Sequence, residues 1–445
     1  MIIQPAGRTR SVKEYYFSIK NKEIARLNAQ RAKAGLDAVI NLGIGSPDGS
    51  PSPEAVEALC ATARQAGVHG YQSYTGIPAL REAIAYWYAR WYGVELDPAT
   101  EIQPLMGSKE GILLLSLAFL DKGDKVLVPN PGYPTYTSAT LMCEAQLVKY
   151  DLVEADGWYP DFDALESMDL SGVKLMWVNY PNMPTGAPAR RDVFEKLVSF
   201  ARRHGILLVN DNPYGFVLNR PQSILSVPGA LECCLEMNSL SKSHNMAGWR
   251  VGMMVGDPDI LKELLKVKSQ MDSGMFRGIQ EAAVQALHAG ADWYDSLNEE
   301  YRRRQQVARR IMDTLGCTYD PAAGGLYVWG RIPEGDAPAV AEKKADAPEG
   351  DAPAVADKRA DAPEGDAPAV ADERADAPLG ASPSGVPSCV AEAWSDRILY
   401  GAGVFLTPGF IFGSNGSRYL RISLCADVPT LEKALEKIAF FLSSR

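Results

Sequence analysis

The 445-residue sequence predicts an α/β protein built on a mostly parallel sheet flanked by helices, with a smaller α/β terminal domain. Three observations predict this class. Short apolar runs at 125–128, 175–179, 206–211 and 235–239 have the length of buried strands. The last three recur at intervals of roughly 30 residues, the spacing of a strand-helix-strand crossover. Stretches with helical periodicity alternate with them, at 109–120, 191–204 and 259–268.

In chain order, residues 1–49 form an N-terminal segment expected to pack with the small domain, and 50–290 form the large domain. Residues 291–445 form the small domain, in which VFLTPGFIF and RYLRISLC read as strands and LEKALEKIAFFL, at 431–442, as an amphipathic helix. The small domain is interrupted at 334–390. From Pro333 a 15-residue unit runs three times, PEGDAPAVAEKKADA, PEGDAPAVADKRADA and PEGDAPAVADERADA. Its only sizeable apolar side chain is Val, too little burial to offset the entropy of ordering it, so an exposed, disordered insertion is expected. The first two units each carry four acids and two bases, the third five acids and one base, which accounts for −8 of the formal net charge of −10. The rest of the chain is close to neutral, and its acidity implies no cationic partner.

With 46% hydrophobic and 22% charged residues the chain has ample material for a packed core, and its length excludes a single small binding module. No apolar run approaches the roughly 20 residues of a membrane-spanning helix. Arg8, Arg10 and Lys13 precede no apolar h-region, so a cytoplasmic location is expected. Seven scattered cysteines without a CxxC pair argue against a disulfide framework, and four unpaired histidines against a metal site. No basic recognition helix points to nucleic acid.

Ligands of an open parallel sheet collect at the carboxyl ends of its strands. Asn179 and Asn182 follow one predicted strand, Asp211 and Tyr214 the next, and Ser239, Ser241 and Lys242 the third. A buried Asp there requires a cationic partner, such as a protonated pyridine nitrogen. Gly107-Ser108 opens the helix at 109–120 and offers backbone N–H groups, a hydroxyl and the positive end of the helix dipole to an anion. The pattern is not a Walker loop, and Gly43-Ile44-Gly45 is not a full dinucleotide fingerprint.

The stretch SLSKSHNMAGWRVG at 239–252 resembles the lysine signature of class I/II, fold-type I pyridoxal-phosphate-dependent aminotransferases. NLGIGSPD at 41, YTGIPALREAI at 74, GSKEGI at 107, NPGYPTY at 130, NYPNMPTG at 179, NDNPY at 210 and YLRIS at 419 resemble further motifs of that family, in its order. GSKEGI and MDSGMFRGIQEAA are most similar to the branch containing LL-diaminopimelate aminotransferases. The resemblance implies pyridoxal 5′-phosphate as cofactor and transfer of an amino group from an amino acid to a 2-oxo acid through a Lys242 Schiff base. It further implies that Asp211 pairs with the pyridinium nitrogen, that Asn182 and Tyr214 bond the ring oxygen and that Tyr133 stacks on the ring. Ser108, Lys109, Ser239 and Arg250 would hold the phosphate, joined by Tyr74 of a neighbouring subunit in a homodimer with shared sites. Gly45, Asn182 and Arg421 would bind substrate, Arg421 gripping the α-carboxylate as a bidentate fork. Met183 departs from the Asn or Pro usual at its position, which implies a change of packing.

The same scaffold could serve a carbon–sulfur lyase or decarboxylase, or a non-catalytic amino-acid-binding regulator. Conversion of the cofactor to its amine form by an amino acid separates these readings. Donor and acceptor identity are not legible: no second Arg stands out as a reader of a distal carboxylate, and the Tyr15-Tyr16 pair is read as a pocket wall or as core packing.

Overall fold

A computed structural model describes residues 2–334 and 389–444, so nearly all of the predicted insertion lies outside the described residues. The central sheet has seven strands: β1 Ile102–Leu105, β2 Lys125–Asn130, β3 Gln146–Asp151, β4 Val173–Val178, β5 Leu207–Asp211, β6 Cys234–Ser239 and β7 Gly252–Gly256. Their spatial order is β1-β7-β6-β5-β4-β2-β3. From β3 to β6 all neighbours are parallel, while β7 runs antiparallel to both β6 and β1. Strands covered on both faces need apolar side chains on both, and β4, β5 and β6 are accordingly buried almost throughout.

The crossover between β4 and β5 shows how the sequence builds this layer. Helix Arg191–His204 puts Val193, Phe194, Leu197, Val198, Phe200 and Ala201 on one buried face, and Gly205, at φ 63°, closes it in the left-handed conformation that glycine adopts cheaply. Phe194 is 1% exposed, so Phe194→Ala would cost about 3–5 kcal/mol. Helix Pro258–Lys268 starts where the Asp257 carboxylate accepts from the amides of Asp259 and Ile260.

A second, antiparallel sheet has the order Thr407–Pro408, Tyr419–Ser423, Tyr327–Arg331, Thr318–Tyr319. Helices Ala291–Thr314 and Val428–Ser443 pack against each other beside it. Ile40–Asn41 pairs in parallel with Val404–Phe405, and the Ser423 amide donates to Leu42 O, tying the N-terminal segment to this region. The chain leaves through Ile332, whose amide donates to Arg418 O, and returns through Ala391, whose amide donates to Ser417 O. Both ends of the insertion therefore meet at adjacent residues.

Two local expectations differ from the structure. VFLTPGFIF is not one strand: Val404–Phe405 and Thr407–Pro408 are short strands, and Gly409–Phe412 is a 3-10 turn. Pro408 removes a ladder donor, and Gly409 packs so close to Gly416 that an added Cβ would lie 2.4 Å from its carbonyl oxygen. β1 was not expected as a strand because it contains Pro104, which is tolerated since β1 is an edge of the sheet. Among the described residues no helix is long and apolar enough to cross a membrane.

Candidate active site

The carboxyl ends of β5 and β6 open on a cavity of about 400 Å³. Its wall includes the predicted residues Gly45, Ser108, Lys109, Tyr133, Asp211, Tyr214, Ser239, Lys242, Arg250 and Arg421, drawn from both sheets and the N-terminal segment. A topology that ends parallel strands side by side brings together groups more than 300 residues apart in sequence.

Asp211, the last residue of β5, is 4% exposed. Its Oδ2 accepts from the Tyr136 hydroxyl at 2.9 Å, and its Oδ1 has no partner. Burial, only partly opposed by that hydrogen bond, pushes its carboxyl up to about 7. An unmet, buried carboxylate oxygen is costly, and a cationic N–H would both satisfy it and restore its charge. Arg421, 3% exposed, lies in the strand Tyr419–Ser423 with its guanidinium 4.0 Å from the Tyr327 ring and 4.7 Å from the Phe412 ring. It donates to Gly43 O at 3.2 Å and to Met183 Sδ at 3.5 Å, while its Nε is unpartnered. A buried guanidinium with so few acceptors is suited to a bidentate anion. Lys242, in the turn of helix just after β6, donates to Gly45 O.

A third cluster suits a phosphate. Gly107, at φ 82°, caps helix Ser108–Phe119 without a side chain, leaving the first-turn amides without a side-chain partner. A Cβ on Gly107 would lie 2.1 Å from Arg250 Nη2, and one on Gly252 would lie 2.7 Å from Ser108 N, so glycine is needed at both to keep the cradle open. Arg250 holds a left-handed φ of 60° and donates to Ala247 O at 2.9 Å, a strained placement typical of functional sites. Burial, then the Arg250 charge, lowers the pKa of Lys109, whose ammonium lies 5.0 Å from the Tyr15 ring centre. Ser239 Oγ bonds Ser241 Oγ at 2.7 Å and Val251 O at 3.1 Å. The residues present thus fit pyridoxal 5′-phosphate: an acid without a partner, a lysine, an anion cradle and a separate guanidinium.

Asn182 is a correction. It is absent from the cavity wall because its own loop consumes its amide: Oδ1 accepts from the Thr185 amide at 3.3 Å and hydroxyl at 2.8 Å, and Nδ2 donates to Asn179 O at 3.2 Å. Met183 and Asn179 face the cavity instead. Tyr74 also lies off the wall of its own chain; it is 40% exposed, on a loop whose backbone is bonded by Gln103 and whose end packs on Gln280. Sequence reasoning missed Tyr136, the Asp211 partner, although it stands three residues after Tyr133 at the start of a helix and so shares its face. It also missed Tyr327, whose hydroxyl would meet a Cβ on Gly45 at 2.4 Å.

Comparison with known proteins gives a consistent result. Residues 37–438 match the family model described as aminotransferase class I and II. An LL-diaminopimelate aminotransferase of Oleidesulfovibrio alaskensis is 36% identical over 439 residues, covering 98% of each chain. One from Desulforudis audaxviator is 35% identical, covering 97% of this chain and 96% of its own. Substrate-bound BacF of Bacillus subtilis superposes with a TM-score of 0.80 at 32% identity, covering 99% and 98% of the two chains. An aspartate aminotransferase double mutant of Thermus thermophilus superposes at 0.79 with 24% identity, covering 99% and 100%, and shares the fold.

Proposed function

The chain belongs to the aminotransferase class I and II family, fold-type I enzymes that use pyridoxal 5′-phosphate to move an amino group from an amino acid to a 2-oxo acid, and from that membership we propose how its residues divide the work. When bound, the cofactor supplies an electron sink for negative charge at the substrate α-carbon. Lys242 Nζ would be its covalent anchor and, once displaced by the substrate amine, the base that takes the substrate α-proton and returns it to the carbon on the far side of the bridging nitrogen. Asp211 would pair, ionised, with the pyridine N–H and so keep that nitrogen protonated. Tyr136 holds the Asp211 carboxylate through its other oxygen. Tyr133 would pack on the ring and Tyr214 would donate to its oxygen.

Ser108, Lys109, Ser239 and Arg250 hold the phosphate, with the helix dipole adding to their charge. Arg421 clamps the α-carboxylate, orienting the substrate so that its α-proton faces Lys242. Gly45 leaves space beside Tyr327 for the substrate backbone. The large domain, 50–290, supplies the cofactor groups, and the small one, with the N-terminal segment, the carboxylate clamp. The observation that carries this reading is the unpartnered Asp211 oxygen in the same cavity wall as Lys242 and Arg421.

The reading includes a homodimer. Tyr74, exposed and off its own cavity, would serve the partner's phosphate. The relatives' names make LL-diaminopimelate one donor to assay. Two results test the reading together. Lys242→Ala loses turnover by several orders of magnitude, as does Tyr74→Asp, and mixing the two after verified subunit exchange recovers activity, since one site of a mixed dimer keeps both groups. Near-normal turnover of Lys242→Ala refutes the catalytic assignment; no recovery refutes the shared site.

A further inference from the structure

The part of the cavity around Arg421 is aromatic. Its guanidinium has the rings of Tyr327, Phe412 and Phe17 at 4.0, 4.7 and 5.7 Å, so a carboxylate bound there arrives among ring faces and edges. Tyr15 and Phe17, at the start of helix Tyr16–Lys33, pair with ring centres 5.6 Å apart at 44° and both line the cavity. Burial, with the neighbouring Tyr133 and Tyr327, shifts the Tyr15 phenol upward against the opposing charge of Arg421. Yet Tyr15 and the neighbouring wall residue Ile44 keep 38% and 50% of their surface accessible. Tyr15, Phe17 and Ile44 on the wall, next to the α-carboxylate clamp, offer apolar contact to a substrate side chain.

Charge gives the same answer. Asp211 is the single carboxylate among the described residues of the wall, and it is committed to the cofactor ring. A substrate with a distal ammonium therefore meets no acid of this chain on the described wall. The four cations are Lys109, Lys242, Arg250 and Arg421. Lys242 is committed to the cofactor carbon, Lys109 and Arg250 to the phosphate and Arg421 to the α-carboxylate, so this chain leaves no wall cation for a second carboxylate.

Resting on the aminotransferase reading above, we propose that the amino donor is an α-amino acid with an aromatic or bulky branched apolar side chain, held against Tyr15, Phe17 and Ile44, and that donors with a second charged end are selected against. This departs from the donor in the relatives' names.

The experiment is a donor panel with the holoenzyme and one fixed 2-oxo acid: phenylalanine, tyrosine, leucine, alanine, glutamate and LL-diaminopimelate. Phenylalanine or tyrosine is expected to exceed glutamate and the diamino diacid in kcat/KM by about 100-fold or more, the scale on which a pocket discriminates unmatched polar groups. Tyr15→Ala is expected to lower kcat/KM about 10-fold or more for phenylalanine, with a smaller loss for alanine, and Tyr15→Phe to retain the wild-type ratio of the two. A preference for glutamate or the diamino diacid overturns the proposal. An equal effect of Tyr15→Ala on both donors removes Tyr15 from the wall and overturns the proposed placement. Failure of every donor would instead overturn the aminotransferase reading itself.

Discussion

Asp211→Asn separates the cost of an unpaired buried acid from its catalytic value. In cofactor-free protein the Asp211 carboxyl is pushed up to about 7 from an ordinary 3.8. A raised folded pKa means that the folded chain holds a proton which the unfolded chain releases, so stability falls as pH rises from about 4 to about 7. Integrated between pH 5 and pH 8, this single group removes about 2–3 kcal/mol. Asn cannot titrate, so the variant lacks this loss. Its fixed cost, an amide N–H with no acceptor where Oδ1 now stands, is independent of pH. The stability difference between Asp211→Asn and wild type, both cofactor-free, should therefore shift in favour of the variant by about 2–3 kcal/mol on going from pH 5 to pH 8. Equilibrium urea unfolding at the two pH values measures it. With cofactor present the order should reverse at pH 8, because only the wild type gains the ion pair. A pH-independent difference in the cofactor-free proteins would refute the argument that Asp211 is held as an unpaired, desolvated acid.

Two further outcomes follow from the geometry. Arg421→Lys keeps the charge but loses the planar fork, and steady-state kinetics should show KM for donor and acceptor raised about 10–100-fold with a smaller effect on kcat; an unchanged KM would place the carboxylate elsewhere. Deleting 334–388 with a short Gly/Ser bridge should leave circular dichroism and cofactor binding intact, because Ile332 and Ala391 are already anchored to the adjacent residues Arg418 and Ser417; loss of soluble protein would show that the repeat contributes to the core.

Four of the five parallel strands were legible because strands buried on both faces appear as unbroken apolar runs, and crossover helices space the last three regularly; β3, an edge strand of half-exposed QLVKYD, shows no such run. β1 was not legible, since Pro104 contradicts a strand unless the strand is known to be an edge, and edges are decided by the whole sheet. Lys242 and Asp211 stood out as polar residues at or beside a strand end, and Arg421, in mid-strand, only through its motif; the structure brings all three to one cavity wall. Asn182 stands off the described wall while its neighbour Met183 lies on it. An irregular loop has no periodicity to say which neighbour faces inward, and the Thr185 donors that turn Asn182 away act only once the loop closes. Tyr136 was missed because its partner lies 75 residues away, a contact that the sheet creates.

If Lys242 carries the cofactor and gives it up to an amino donor, borohydride reduction of the holoenzyme followed by peptide mass mapping will show it, performed before donor, after excess donor, and after subsequent 2-oxo acid. A cofactor-sized mass is expected on the peptide containing Lys242 in the first sample, its absence in the second and its return in the third. A label on another lysine, or one that persists unchanged through donor and acceptor, would contradict it.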